Sequence, residues 1–252
     1  MAEIQQNMPE WPRNMKRYLV ELVGEPADLE EFPCMFPDGD VHAIAEDTNV
    51  FLTGSAFDGI ETPSKVLETA GQVLDEMVAV ILLLWPGLRR PTLGAVCVED
   101  ESGLRSRHFF ASVHEMARAK DRVEAVLNGA TPNKQGPTEG QQLLAASRLA
   151  TNAQAAMMIW ADPHRTWPRL YRILEELEAE LKAKVHESGL CLEDQRTRFT
   201  RSANSADVAG KDSRHGSGKF EPPKNPMSLE EATSFISGLM QQTLHRLLRN
   251  TA

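Results

Sequence analysis

The residues best suited to chemistry lie in one stretch, Gln195 to Lys224, which reads QRTRFTRSANSADVAGKDSRHGSGKFEPPK. Between Gln195 and Phe220 it holds six cations (Arg196, Arg198, Arg201, Lys211, Arg214, Lys219) against Asp207 and Asp212. The local charge is +4 in a chain whose net charge is −9. Arg198 and Arg201 stand three apart and share one face of a helix. Ser202, Asn204 and Ser205 add neutral hydrogen-bonding groups. Gly210, Gly216 and Gly218 let a backbone come close to a ligand. Guanidinium forks, neutral donors and little bulk are what a phosphate or another oxyanion requires. The pattern points to Arg198, Arg201, Asn204, Lys211, Arg214 and His215 as an anion site. His215, flanked by Arg214, has the chemistry of a proton acceptor beside a group that steadies an oxyanion. The competing structural reading is a solvated basic loop in which Arg198 and Arg201 pair with Glu175, Glu176 or Glu178 of the preceding helix.

The elements that must position this stretch are helical. A stripe of Leu149, Ala153, Ala156, Met157 and Trp160 predicts a helix over 144–160, stopped at Asp162-Pro163. A second helix starts near Pro168 and carries Leu170, Tyr171, Leu174, Leu177 and Leu181, with Glu175, Glu176, Glu178 and Glu180 toward water. A third, short one runs from Leu192 to Ala203. The last opens at Ser228-Leu229-Glu230-Glu231, a capping box, and buries Phe235, Ile236, Leu239, Met240, Leu244 and Leu247. Four amphipathic segments are enough to close one small bundle.

Upstream the periodicity changes. Tyr18–Val23, Val41–Ala45, Asn49–Leu52, Thr92–Val98 and Leu104–Val113 read as strands, with one or two helical turns at Pro26–Phe32. Thr62-Pro63 opens a long helix that is apolar all round after Met77 and stops at Pro86-Gly87. Glu115–Leu127 reads as a further helix. The fold class expected is α+β: an antiparallel or mixed sheet with one packed helix over 1–127, then a helical bundle over 141–252. Residues 128–140, NGATPNKQGPTEG, form the linker between them.

Composition bounds the function classes. Residues 1–60 hold twelve acidic and three basic side chains, so the entire charge imbalance lies there and repels polyanions from that end. Cys34, Cys97 and Cys191 have neither disulfide-framework nor zinc-ribbon spacing and read as small core residues of a reducing compartment. Asp38, Asp40, Glu46 and Asp47 lack the spacing of a calcium loop and read as solvated turns. No glycine-rich nucleotide motif, zincin pair or nucleophile elbow is present. The longest apolar run, Met77–Trp85, is far short of the ~20 residues of a membrane span, and Met1–Trp11 is not a signal peptide. The expectation is a cytoplasmic protein with no cofactor and no membrane partner. Its partners would be RNA or another phosphate-bearing ligand, or a protein partner or second copy met through acidic and basic surfaces.

The runs WPRLYRILEELE (Trp167–Glu178), RFTRSAN (Arg198–Asn204), AGKDSRHG (Ala209–Gly216) and PPKNPMSLEEA (Pro222–Ala232) resemble an uncharacterised family of bacterial proteins over residues 165–250. The resemblance implies a helical domain and no mechanism. In layout the chain is similar to HEPN-type helical domains, in which an Arg stands four to six residues before a His near a late helix. That similarity implies RNA cleavage without metal, as in toxins and phage-defence components. Arg214-His215-Gly216 occupies the corresponding place, but no Arg stands four to six residues before His215.

Overall fold

The run Tyr18–Val23 is apolar on both parities except at Glu21, so it calls for cover on both faces and strands on both sides. A computed structural model, which describes residues 16–100, 102–110, 136–213 and 221–251, places β1 (Arg17–Val23) accordingly, at the centre of a five-stranded sheet. The other strands are β2 (His42–Glu46), β3 (Asn49–Thr53), β4 (Thr92–Glu99) and β5 (Arg105–His108). Their order is β2-β3-β1-β4-β5 and every neighbouring pair is antiparallel. Together with the helices that follow, this is the expected α+β layout.

The chain divides into two compact units, one of residues 1–72 and 91–134, the other of residues 73–90 and 135–252. The sequence boundary at 128–140 assigns all of the long helix α2 (Pro63–Leu84) to the sheet; the division assigns its part from Val73 onward to the helices.

In the sheet unit, register sorts the side chains. Val20, Leu52, Ala43 and Val96 share one face, and all are buried. The start of α2 packs on this side: Tyr18 Oη donates to Ile60 O at 2.9 Å, and Gly71 lies against Leu93. Leu19, Phe51 and Cys97 form a small buried cluster on the opposite face, with Ile44 against it. Charged side chains surround that cluster. Arg105 of β5 donates to Glu46 of β2 and, at 2.6 Å, to Glu99; Arg17 lies 3.8 Å from Glu99, and Arg107 donates to Glu21 at 2.7 Å. Strands β2 and β5 are the two ends of the order. A flat sheet would separate them by about 19 Å, beyond the joint reach of an Arg and a Glu. The sheet is therefore curled, and the ion pairs cross its concave side. A short helix α1 (Pro26–Met35) follows β1 and buries Leu29, Phe32 and Met35.

The helical unit contains the apolar end of α2, α3 (Glu139–Arg148), α4 (Thr151–Trp160), α5 (Trp167–Leu181), α6 (Glu193–Asn204), the short α7 (Ala206–Ala209) and α8 (Leu229–Thr251). Residues Met77 to Leu83 are all buried, as their unbroken apolarity requires. Gln241 of α8 caps that helix by donating to Leu83 O at 2.7 Å.

Several expectations are corrected. The single helix over 144–160 is two helices, because Ala150 adopts an extended conformation (φ −142, ψ 125). Leu149, placed by its spacing on the buried stripe, is 53 % exposed at that break. α3 begins inside the expected linker, where Thr138 and Gln141 form a reciprocal capping box. Cys34 is exposed, and only Cys97 of the three cysteines is buried. The fifth strand ends at His108, and the helix expected over 115–127 lies outside the described residues.

A tight turn joins β3 to α2. Gly54 has φ +145, and a Cβ there would stand 2.3 Å from Asp40 O and 2.9 Å from Val41 Cα, both backbone atoms. Gly54→Ala is expected to destabilise the protein by roughly 1–3 kcal/mol in urea denaturation. Gly59→Ala, at φ +74 with no atom near the new methyl, is expected to cost about 1 kcal/mol.

Candidate functional site

The basic stretch begins on α6. Gln195 Oε1 accepts from Leu192 N–H at 2.9 Å, Glu193 and Asp194 lie in the first turn, and Arg201 lies in the last, a charge order that suits the helix dipole. Phe199 anchors the helix. Its ring lies 6.1 Å from Trp167, 6.2 Å from Tyr171 and 5.7 Å from Phe235, which ties α5, α6 and α8 into one aromatic cluster.

The cations of α6 diverge in what they touch. Arg196 holds Glu178 of α5 in a fork, Nε to Oε1 at 2.5 Å and Nη2 to Oε2 at 3.0 Å. Glu178 also accepts from Lys184 Nζ at 2.9 Å and from Val185 N–H at 3.3 Å. Burial alone would raise the Glu178 pKa, but Arg196 and Lys184 outweigh it and hold the carboxyl below its ordinary value of 4.5. Glu178 is half-buried and Glu176 is buried, with Arg172 Nη2 at 2.6 Å. Two of the four glutamates expected to face water are therefore turned inward.

Arg198 faces the returning segment. Its Nε donates to Asn225 O at 2.7 Å, and its Nη2 donates to Pro226 O at 3.2 Å and to both carboxylate oxygens of Glu231 at 3.0 and 2.9 Å. Glu231 is the expected capping-box carboxylate. It accepts from Ser228 N–H at 2.8 Å, while Ser228 Oγ accepts from Glu231 N–H at 3.1 Å. Ser202, one turn after Arg198, donates to Arg198 O at 2.8 Å and accepts from Met227 N–H at 3.0 Å. The proline-rich segment has few N–H groups of its own, so α6 supplies donors to its carbonyls. Arg198 and Arg201 do share a helix face, but Arg198 pairs with Glu231, not with a glutamate of α5.

Arg201 is the contrasting case. It is exposed and donates to Glu221 O and Pro222 O at 3.4 and 3.5 Å, the outer limit of a hydrogen bond. No carboxylate pairs with it among the described residues. After it, Asn204 Oδ1 and Ser205 Oγ are buried with no hydrogen-bond partner among those residues. Lys211 is exposed in the 3-10 turn Gly210–Asp212, which Gly210 enters at φ +58. Arg214 and His215 lie outside the described residues. Glu178 and Glu231 together neutralise two of the six cations, which reduces the local +4 to +2.

Sequence reasoning overlooked the Glu178–Arg196 pair, whose members stand eighteen residues apart with nothing in their spacing to link them. It also overlooked Arg165, which stacks 3.7 Å over the ring of buried Trp160; burial brings the Arg165 pKa down to about 10. Among the described residues no group of His, Cys, Asp and Glu could hold a metal ion, and no helix is long and apolar enough to cross a membrane. No family model, curated protein or solved structure matches the chain.

A carboxyl whose pKa is lowered on folding stabilises above its unfolded pKa, and that contribution is lost as pH falls through the folded value. The helical unit is therefore expected to lose stability below about pH 4.5, with the loss shallower in Glu178→Gln; calorimetric scans between pH 3 and 7 check this. Arg196→Ala, which strips a half-buried carboxylate of its fork, is expected to cost about 1–3 kcal/mol at pH 7.

Proposed function

We propose that this chain is a binding protein, without turnover, for a phosphate-bearing ligand such as RNA or a nucleotide. Arg201 and Lys211 supply the cationic contacts and Asn204 adds a neutral one; Arg214 and His215, the other two members of the expected set, lie outside the described residues. Arg198 is assigned to the fold in this reading, because Glu231 and two carbonyls engage its Nε and Nη2.

The observation that carries this reading is the state of Arg201. A guanidinium has five donors in a rigid fork. Here it is exposed, has no carboxylate among the described residues, and makes only two contacts at 3.4 and 3.5 Å. An oxyanion would meet an available fork at little cost in desolvation. Lys211, two short elements further along the chain, is likewise exposed and unpaired among the described residues.

The test is binding of a labelled single-stranded RNA and of a nucleotide across a salt series. The wild type is expected to bind one of them with a salt-dependent affinity. Arg201→Ala with Lys211→Ala is expected to flatten the slope of log K against log salt for RNA by about 1.4, the loss of two phosphate contacts. Arg198→Ala is expected to lower the melting temperature while leaving that slope unchanged. Equal affinity of wild type and double variant for both probes ends the proposal.

A further inference from the structure

Strand β5 lies at one end of the sheet and pairs with β4 alone among the described strands. In an antiparallel ladder, pairs that exchange main-chain hydrogen bonds alternate with pairs that do not. Asp100 N–H donates to Leu104 O at 3.0 Å, which sets the phase. Ser106 and His108 therefore turn their main-chain groups toward β4, and Arg105 and Arg107 turn theirs outward. Such an edge is a template for another strand unless it is blunted.

Two of the most exposed large apolar side chains flank this edge, Leu104 at 71 % and Phe109 at 76 %. On the face that carries Ser106 and His108, Tyr18, Val98 and Leu104 help to line a depression of about 370 Å³. On the other face the Arg107 guanidinium lies 5.4 Å from the centre of the Phe109 ring. Arg107 uses Nη2 on Glu21 and remains about half exposed, so donors are left for another carboxylate.

The charge pattern selects the occupant. A second copy of β5, added antiparallel with the two sheets facing the same way, would set arginine opposite arginine in every register centred between Arg105 and Arg107. Like charges directly opposite destabilise a strand pair. A strand with a carboxylate opposite Arg107 and an apolar side chain at the next position meets both faces of the edge. Main-chain hydrogen bonds would supply affinity, and the alternating side chains specificity. We propose that β5 is a docking edge for an extended segment of another protein whose side chains alternate acidic and apolar. That segment joins the sheet as a sixth strand, with its acidic residues toward Arg107 and its apolar residues over the depression beside Leu104.

The probe is a labelled ten-residue peptide of alternating Glu and Val, compared with an alternating Lys–Val peptide and with a Glu–Val peptide carrying a central proline. The full chain is expected to bind the Glu–Val peptide at least tenfold more tightly than either control. The amides of Arg105 and Arg107 are expected to gain protection from hydrogen exchange when it binds. Arg107→Glu is expected to invert the preference between the Glu and Lys peptides, and Leu104→Asp to weaken both by tenfold or more. Arg107→Glu also strips Glu21 of its partner, so each variant is first checked for a native melting transition; Arg107→Gln, expected to lose the preference for the Glu peptide without inverting it, serves where Arg107→Glu does not fold. No binding of the Glu–Val peptide, or equal binding of the Glu and Lys peptides, overturns the proposal. A dimer in sedimentation that Leu104→Asp dissolves also overturns it, because the edge would then serve a second copy.

Discussion

The organisation around the basic stretch rests on one interaction, the carboxylate of Glu178 held by Arg196, Lys184 and the Val185 N–H. A carboxylate in that half-buried position is costly unless its lone pairs are filled, and removal of one partner leaves the cost behind. The pair fixes the start of α6 against α5. Phe199, three residues on, then enters the aromatic cluster. With the start and the centre of α6 set, Arg198 and Ser202 fall over the segment Asn225–Met227. That segment in turn delivers Ser228 and Glu231 to cap α8. Each step takes its geometry from the one before, and the first is electrostatic.

This order explains why local charge overstated the number of cations available to a ligand. A run of arginines attracts any nearby carboxylate, and a folded chain brings its own carboxylates nearer than a solute can come. Arg196 and Arg198 are taken in this way by Glu178 and Glu231. Arg201, on the same helix, is left with carbonyls at the limit of hydrogen-bonding distance because the facing segment, Glu221 to Pro222, turns backbone toward it. The number of donors engaged within the fold separates a structural arginine from one with donors to offer.

Much of the fold was legible, because apolar periodicity reports burial directly. All five strands, the long apolar helix, the α8 capping box and α5 follow from it. The helix break after Leu149 was not legible. Neither Gly nor Pro marks it, and Ala150 is a strong helix former placed in an extended conformation by its surroundings. The inward turn of Glu176 and Glu178 was hidden for a related reason. Charge predicts exposure on average, and the exceptions depend on a partner distant in sequence. Of the six candidate ligand residues, the spacing of Arg198 and Arg201 placed them correctly on one face, but what that face meets is a matter of tertiary contact.

The sheet unit applies the same rule to the acidic end of the chain. Read along the sequence, residues 1–60 are an acidic block. In the sheet, Glu21 and Glu46 of that block meet Arg107 and Arg105 from the hairpin. Strand order makes this unavoidable, because β1 and β4 are neighbours and the curl brings β2 toward β5. The arginines of β5 thereby close ion pairs across the concave side while their main chain faces outward. The outer edge of this strand meets no other strand among the described residues. In the docking proposed for this edge, its charge would disfavour a like strand, and the exposed Leu104 and Phe109 would give a strand of opposite charge apolar surface.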